Sequence, residues 1–256
     1  MQFLGRFKNI KSQSVFYGEY DKDTSLVQPI ESLFHSHKTG SPVPVSDVIP
    51  LCPVSPSKIV CVGRNYRAHI QEFGGEEPAE PLLFLKANSS LNGPNEKIII
   101  PPISHRVEYE GELVVVIGKI AKNVKSNESL NYVLGFSIGN DVTARDIQRK
   151  DGQWARGKSF DTFCPIGPWV LKYSNDLNID SFLIRSYLNG NMLQDSLCEK
   201  MIFKVNHLIS YISHCMTLFP GDVIMTGTPS GVGSLKQGDE IKISIDPIGE
   251  LVNLVS

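Results

Sequence analysis

Glu108-Tyr109-Glu110-Gly111-Glu112 runs directly into Leu113-Val114-Val115-Val116-Ile117, and this is the most informative stretch of the chain. Its apolar, β-branched second half predicts a buried strand. Because side chains alternate between the two faces of a strand, the three glutamates face the same side, with neighbours about 6.7 Å apart. Buried carboxylates this close repel each other unless a cation lies among them. Two of the glutamates and one further carboxylate would form an all-oxygen site for Mg²⁺ or Mn²⁺.

Length and composition are those of a globular protein with a substantial core. The chain has 256 residues, 41% of them hydrophobic and 20% charged, which suits one large domain or a domain with a small appendage. A net charge of −2 predicts no nucleic-acid partner, and no apolar run approaches the ~20 residues that cross a membrane. Five widely spaced cysteines without a Cys-x-x-Cys pair argue against a zinc site or a disulfide framework and favour a cytoplasmic location. The N-terminus also allows a weak organelle-targeting signal, although a first strand over residues 1–7 is favoured.

The order of the predicted elements indicates an α+β protein that is mostly β. Proline and serine are concentrated in residues 41–57, which predicts a linker between a small N-terminal β unit (1–56) and a main domain (57–256). Strands do not alternate regularly with helices, so a doubly wound fold is not expected. Predicted strands cover residues 58–62, 82–86, 113–117, 134–138, 183–188, 192–193, 223–226 and 240–245, with a hairpin turn at Asn189-Gly190. Predicted helices cover residues 67–73, a short segment opened by a capping box at 143–146, and an amphipathic stretch at 203–218.

Several polar residues are candidates for chemistry. Asp141, at the end of a predicted strand, is a candidate third ligand, although its local sequence by itself favours a turn or helix N-terminal role. His69 and Glu72 are three residues apart on a short predicted helix, so they share one face and form a candidate general base, or only a surface pair. This helix lies between glycine-containing segments and could act as a lid. Lys158 could hold a substrate carboxylate or neutralise charge near the metal, although a lone lysine is usually solvated.

The loop at residues 226–233 is rich in glycine but lacks the signature of a phosphate-binding loop. Neither the Gly-Lys-Ser/Thr of a Walker motif nor the glycine spacing of a dinucleotide fingerprint is present. Such a loop could present backbone N–H groups and Thr228 to a carboxylate, or could be a simple turn.

Seven segments, in this order, resemble the fumarylacetoacetate hydrolase family, in particular its smaller members of the acylpyruvate hydrolase and 2-hydroxyhepta-2,4-diene-1,7-dioate isomerase type. The resemblance covers about residues 56–256. The segments are 63–66 with His69 and Glu72, 81–86, 109–113, 139–146, 157–161, 165–168, and 226–229 with 231–233.

The resemblance implies a role for each candidate residue. Glu110, Glu112 and Asp141 would bind the metal, and Glu108 would lie beside the ligands or at the surface. His69 and Glu72 would activate water on a lid, while Lys158 and Thr228 would bind the 2-oxo acid end of a substrate. Further substrate contacts would come from Arg145 and Gln148, and from Arg64 and Tyr66 at the pocket mouth. The implied fold is a mixed β-roll, like the C-terminal domain of fumarylacetoacetate hydrolase, with short flanking helices and a small N-terminal β unit, and the implied assembly is a homodimer.

The implied activity is hydrolysis of a C–C bond in 2,4-dioxo acids of the acylpyruvate or fumarylpyruvate type, with a metal-stabilised pyruvate enolate as the leaving group. Hydrolysis ranks first because the His69–Glu72 pair is complete. Decarboxylation or tautomerisation of oxaloacetate, and isomerisation of unsaturated 2-oxo diacids of the 2-hydroxyhepta-2,4-diene-1,7-dioate type, use related chemistry. The non-enzymatic alternative is a catalytically inactive member of the family that binds a metal and dicarboxylates.

Overall fold

Three β-sheets and four short α-helices build the protein in the computed structural model, which describes residues 1–256. The first strands are β1 (Phe3–Asn9), β2 (Val15–Asp21), β3 (Leu26–Ile30), β4 (Val43–Pro44), β5 (Val48–Leu51), β6 (Ile59–Gly63), β7 (Leu82–Lys86), β8 (Leu91–Asn92), β9 (Val107–Tyr109) and β10 (Gly111–Ile117). The others are β11 (Val133–Asn140), β12 (Thr143–Ala144), β13 (Cys164–Lys172), β14 (Leu183–Leu188), β15 (Asn191–Leu197), β16 (Val223–Met225), β17 (Gly233–Ser234), β18 (Glu240–Asp246) and β19 (Gly249–Leu254). The helices are α1 (Arg67–Phe73), α2 (Arg145–Asp151), α3 (Ala155–Lys158) and α4 (Val205–Cys215).

The largest sheet has twelve strands. Its main path runs β4-β3-β2-β1-β13-β11-β10-β16-β6-β7, while β5 pairs with β1 and β8 pairs with β13. Only β6 with β16 and β8 with β13 are parallel, so the sheet is mixed. A three-stranded sheet (β12-β9-β17) and a four-stranded sheet (β15-β14-β18-β19) complete the molecule. The α+β, mostly β class predicted from the sequence is confirmed.

Strand β10 lies at the centre of the large sheet, between β11 and β16, and all seven of its residues are buried. Leu113, Val115 and Ile117 pack into one hydrophobic core, together with the buried face of α4. Val114 and Val116 pack into a second core on the opposite side of the sheet. Both faces of β10 are therefore covered by a hydrophobic core. This explains why its sequence is a continuous apolar run rather than an alternation of apolar and polar residues.

The strand predicted across the three glutamates is divided at Glu110. Strand β9 pairs with β12 and β17 of the small sheet, whereas β10 pairs with β11 and β16 of the large one. The backbone at this junction is held from both directions, since the Glu110 N–H donates to Asn140 Oδ1 at 2.9 Å and the Asp141 N–H donates to the Glu110 carbonyl at 2.9 Å. The chain thus passes from one sheet to the other at a candidate ligand.

Two predicted helices differ from the structure in detail. Helix α4 is shorter than residues 203–218, because Met216 is extended and Leu218 makes a β-bridge with Ala121. The capping box proposed for α2 is wrong: Thr143 lies in β12 and donates to the Asp141 carbonyl at 2.9 Å. Asp146 instead accepts hydrogen bonds from the Ser104 hydroxyl and the His105 N–H, so it ties α2 to the preceding loop.

The N-terminal segment joins the large sheet rather than only preceding it. Strand β1 pairs with β13, and the stretch predicted as a linker contains β4 and β5. The division at residue 56 stays a prediction. No helix of the protein combines the length and the apolar composition needed to cross a membrane.

Candidate metal and substrate site

Three buried carboxylates meet where the small sheet adjoins the large one. One oxygen each from Glu110, Glu112 and Asp141 can be chosen so that all lie within 4.8 Å of one another. The antiparallel register of β10 with β11 pairs Gly111 with Asn140, which places the residues next to this pair, Glu110 and Asp141, side by side. Asp141 lies in the connection between β11 and β12 and is 1% exposed, so its side chain belongs to the buried carboxylate group whatever part it has in the turn.

Two lysines and one arginine surround this carboxylate group. The Lys158 ammonium donates to Glu110 Oε2 at 2.8 Å and to Asp141 Oδ2 at 2.6 Å. Lys86 donates to Asp141 Oδ1 at 2.6 Å and to the Val142 carbonyl at 3.1 Å. Burial by itself would raise the pKa of Glu110, but Lys158 and Arg145 outweigh burial and hold that pKa well below its ordinary value. Burial likewise opposes the charge of Lys158, but the carboxylates raise its pKa, so the ammonium is charged.

Glu112 differs from the other two carboxylates because no cationic side chain pairs with it. Its only hydrogen bond comes from the Gly227 N–H, at 2.8 Å. Burial and the neighbouring charges of Asp141 and Glu110 raise its pKa well above the ordinary value. A buried carboxylate that lacks a cation, next to two others, is a donor set that fits a hard divalent cation. The residues present therefore suit Mg²⁺ or Mn²⁺.

Glu108 is buried beside the candidate ligands, so the alternative of a surface position is wrong. It accepts from Arg106 at 2.6 Å and from the Arg145 Nε at 2.7 Å. The Arg145 guanidinium also donates to Glu110 and, at 2.8 Å, to Gln148 Oε1. Arg145 thus links Glu108 to Glu110 and has a protein partner for each of its nitrogens.

Helix α1 carries the His69–Glu72 pair to the opposite side of the site. His69 Nδ1 lies 3.4 Å from Glu72 Oε2, and the Glu72 carboxylate accepts the Gly231 N–H at 3.2 Å. The ring of Phe73 contacts His69, with the two centroids 4.9 Å apart. Burial lowers the pKa of His69 despite the charge of Glu110, which favours the neutral imidazole. The helix ends at Gly74 in the left-handed conformation, as predicted.

A cavity of about 240 Å³ connects the carboxylate group with His69. Of the residues predicted to contact a metal or substrate, nine line it: Arg64, His69, Glu110, Glu112, Asp141, Arg145, Gln148, Lys158 and Thr228. Thr228 already donates its hydroxyl to the Gly111 carbonyl and accepts from Gln194, both at 2.9 Å or less. Glu72 stands behind His69 and does not line the cavity.

Tyr66 does not lie at the pocket mouth. It is 1% exposed, belongs to the main hydrophobic core, and is absent from the cavity wall. Its hydroxyl is buried without a conventional hydrogen-bond partner, near the Cys198 thiol. The backbone is not extended at Arg64, whose φ is 56°, so Arg64 lines the cavity although Tyr66, two residues later, packs into the core.

Sequence reasoning missed several residues that shape the site. Lys86 is the last residue of a predicted apolar strand, and a lysine in that place is itself a sign of a buried anion. Phe84 and Trp154 form an aromatic wall, with ring centroids 5.1 Å apart. Trp154 also packs on Gly63, where a Cβ atom would lie 2.5 Å from its ring. Arg149 lines the cavity next to Gln148, and no periodic pattern pointed to it.

Comparison with known proteins agrees with the family resemblance found in the sequence. Residues 58–256 match the model of the fumarylacetoacetate (FAA) hydrolase C-terminal family. A mitochondrial oxaloacetate tautomerase of Rattus norvegicus is 42% identical over 222 residues, which are 83% of this chain and 71% of that protein.

Two solved structures have the same fold. A 2-hydroxyhepta-2,4-diene-1,7-dioate isomerase from Mycobacterium marinum is 39% identical, with a TM-score of 0.90 over 100% of this chain and 98% of the other. A fumarylpyruvate hydrolase from Pseudomonas aeruginosa, in complex with Mn²⁺ and pyruvate, is 33% identical, with a TM-score of 0.74 over 79% of this chain and 90% of the other. The similar proteins thus include a tautomerase, an isomerase and a hydrolase.

Proposed function

The chain belongs to the fumarylacetoacetate hydrolase family, and on this premise we propose that it is a divalent-metal-dependent hydrolase of 2,4-dioxo acids. The observation that carries the proposal is a single cavity with a buried carboxylate group on one side and His69, backed by Glu72, on the other. The carboxylates suit a cation that binds a 2-oxo acid, and the histidine suits a base that activates water.

Glu110, Glu112 and Asp141 would hold Mg²⁺ or Mn²⁺, which when bound would act as a Lewis acid toward the 2-oxo carboxylate of the substrate. Lys158 would offset negative charge that develops on substrate oxygen. The Thr228 hydroxyl is already bonded within the protein, so Thr228 would contact the substrate through its backbone N–H. Gln148 would contact the substrate from α2, on which it lines the cavity.

His69 would act as the general base. With its Nδ1 proton directed at Glu72, its Nε2 is free to accept a proton from water. The hydroxide then adds to C4 of the substrate, the C3–C4 bond breaks, and its electron pair passes to C3 as the enolate of pyruvate. Return of the proton to C3 gives pyruvate and a second carboxylic acid. Glu72 positions the ring and stabilises its positive charge during these steps.

The test is incubation with Mg²⁺ or Mn²⁺ and acetylpyruvate, oxaloacetate or 2-hydroxyhepta-2,4-diene-1,7-dioate, following the enol or diene absorbance and the products. We expect metal-dependent release of pyruvate and acetate from acetylpyruvate. Glu110→Ala should abolish it, and His69→Ala should stop C–C cleavage while metal still raises the Tm. His105→Ala, at an exposed histidine, is the matched control. Hydrolysis by His69→Ala at the wild-type rate would refute the assignment of the base.

Keto–enol tautomerisation of oxaloacetate is the second candidate, favoured by the similarity to the rat tautomerase. This reaction needs only a proton moved between C3 and the 2-oxo oxygen, for which His69 is also placed. Turnover of oxaloacetate without any release of pyruvate from acetylpyruvate would favour it over hydrolysis.

A further inference from the structure

A buried glutamine of the four-stranded sheet contacts the peptide between two of the candidate metal ligands. Gln194 is the only buried residue of β15, whose other residues are exposed or half-buried. Its Oε1 accepts the Gly111 N–H at 3.1 Å and the Ser186 hydroxyl at 2.6 Å. Its Nε2 donates to the Thr228 hydroxyl and to the Pro229 carbonyl, both at 2.8 Å. A primary amide has two N–H groups and an oxygen with two lone pairs, so every hydrogen-bonding group of Gln194 is used.

Both backbone polar groups of Gly111 are held by these contacts. Its N–H donates to Gln194, and its carbonyl accepts the Thr228 hydroxyl at 2.9 Å. The glutamine also donates to the same threonine hydroxyl, so the three residues form a closed set of hydrogen bonds. Because Gly111 separates Glu110 from Glu112, a fixed Gly111 backbone sets the spacing and direction of both candidate ligands at once.

The same loop also holds the carboxylate behind His69. Two residues beyond Pro229, the Gly231 N–H donates to Glu72 at 3.2 Å. The loop passes so close to β15 that a Cβ atom on Gly231 would overlap the Leu193 carbonyl oxygen, and the φ of 96° also suits only glycine. Strand β15 therefore contacts both the peptide between the metal ligands and the loop that holds the partner of the candidate base.

We propose that Gln194 is a positioning residue that keeps Glu110 and Glu112 at the spacing required by one divalent cation, and that links them to the loop that holds Glu72. This inference rests on the proposed function, because it takes these glutamates as ligands of a metal. Residues that orient metal ligands without touching the metal change its affinity or the activity by about 10–100-fold when they are substituted. If Gln194 served only to stabilise the hairpin, loss of its bonds would lower the Tm without affecting the metal.

The Mn²⁺ affinity of the full chain distinguishes these two roles, and the paramagnetic resonance signal of free Mn²⁺ measures it without turnover. Gln194→Met keeps the approximate size of the side chain but removes all of its hydrogen bonds, so Mn²⁺ should bind about tenfold more weakly or worse. Ser186→Ala removes one of these bonds and should weaken binding by about three- to fivefold. The control is Ile184→Val, at a buried core residue of β14. It should lower the Tm and leave the Mn²⁺ affinity unchanged within twofold.

Turnover of acetylpyruvate at saturating Mn²⁺ tests the link to Glu72. In Gln194→Met, kcat should stay about tenfold below the wild-type value even when the metal site is filled, whereas Ile184→Val should keep the wild-type kcat. Wild-type Mn²⁺ affinity in both Gln194→Met and Ser186→Ala would overturn the proposal, and full recovery of kcat with excess Mn²⁺ would overturn the link to Glu72.

The two kinds of measurement also separate this proposal from the proposed reaction. A wild type that binds Mn²⁺ but hydrolyses no 2,4-dioxo acid would refute the reaction, while weaker Mn²⁺ binding by Gln194→Met would still support the positioning role. A wild type that does not bind Mn²⁺ at all would overturn both.

Discussion

At the scale of single residues, the electrostatics of the site depend on which of its four buried carboxylates are paired with a cationic side chain. Glu108, Glu110 and Asp141 each contact at least one cationic side chain, whereas Glu112 contacts none. Removing a buried charge that has a partner and removing one that lacks a partner should therefore have opposite effects on stability.

Glu112→Gln should raise the Tm of the metal-free protein or leave it unchanged. The substitution removes repulsion with Asp141 and Glu110, and its amide oxygen can still accept the Gly227 N–H. Addition of Mg²⁺ or Mn²⁺ should raise the Tm of the wild type but not that of the variant, because a ligand that binds only the native state stabilises it. Thermal denaturation with and without metal measures both effects. The exposed Glu199→Gln is the control, and a wild-type metal response in Glu112→Gln would exclude Glu112 as a ligand.

Lys86→Met should have the opposite effect. Lys86 is 3% exposed and pairs with Asp141 at 2.6 Å, so its loss leaves a buried carboxylate with one fewer cation. Breaking a buried ion pair from one side costs about 3 kcal/mol or more. Urea denaturation should show this loss in the metal-free protein and a smaller loss at saturating Mg²⁺, which would supply positive charge. Lys97→Met, at an exposed lysine without an ion pair, should change neither value. Loss of the same size with and without metal would contradict this account.

At the scale of elements, one buried amide holds the segments around the cavity together. Asn65, between β6 and α1, is fully buried. Its side chain accepts the Phe203 N–H at 2.7 Å and donates to the carbonyls of Thr226 and Phe203 at 2.7 and 3.0 Å. The start of α1, the approach to α4 and the loop after β16 therefore have a common anchor.

Asn65→Ala should lower the free energy of unfolding by about 3 kcal/mol, since it leaves the buried Thr226 carbonyl and the partly buried N–H and carbonyl of Phe203 without their side-chain partner, and each unmade bond costs about 1–3 kcal/mol. Chemical denaturation checks this value. The exposed Asn191→Ala, whose side chain makes no hydrogen bond within the protein, should be neutral. A loss below about 0.5 kcal/mol in Asn65→Ala would mean that water replaces these bonds easily.

The predicted elements agree with the structure where the local sequence determines the backbone conformation. The hairpin at Asn189-Gly190 and the end of α1 at Gly74 follow from residues that adopt positive φ readily. The break at Glu110 could not be predicted, because it depends on pairing with β12 and β11, which lie more than twenty residues further along the chain. The inward position of Tyr66 has a similar cause, since it depends on packing against residues such as Cys198.

At the scale of the whole molecule, the resemblance to a family selected Glu110, Glu112 and Asp141, whereas the residues alone gave three glutamates and an uncertain aspartate. The register of β10 with β11 explains why the selected three meet. Lys86 and Arg149 reach the site only through folding, so neither spacing nor composition identified them. The homodimer, the cytoplasmic location and the site roles stay predictions.

Asp222 connects the stability of the large sheet to pH. It is fully buried and accepts hydrogen bonds from the backbone N–H groups of Ser57, Lys58 and Phe219, from the Ser57 hydroxyl and from the Lys58 ammonium. These contacts join the start of β6 to the start of β16, its parallel neighbour. Burial opposes the charge, but the Lys58 ammonium and the N–H donors outweigh it and lower the pKa of Asp222 below its ordinary value of 3.8.

A lowered pKa in the folded state means that the charged carboxylate stabilises the fold at every pH above about 3.8, and that this contribution is lost as the pH falls through the folded-state pKa. Asp222→Asn should therefore lower the free energy of unfolding at pH 7 by about 2 kcal/mol, the contribution of hydrogen bonds to a charged acceptor. Urea denaturation at pH 7, 5 and 3 should show the full difference from the wild type at pH 7 and 5 and a smaller one at pH 3. The exposed Asp23→Asn should show no such pattern. A difference that stays constant down to pH 3 would mean that the shape of the Asp222 side chain, rather than its charge, holds β6 and β16 together.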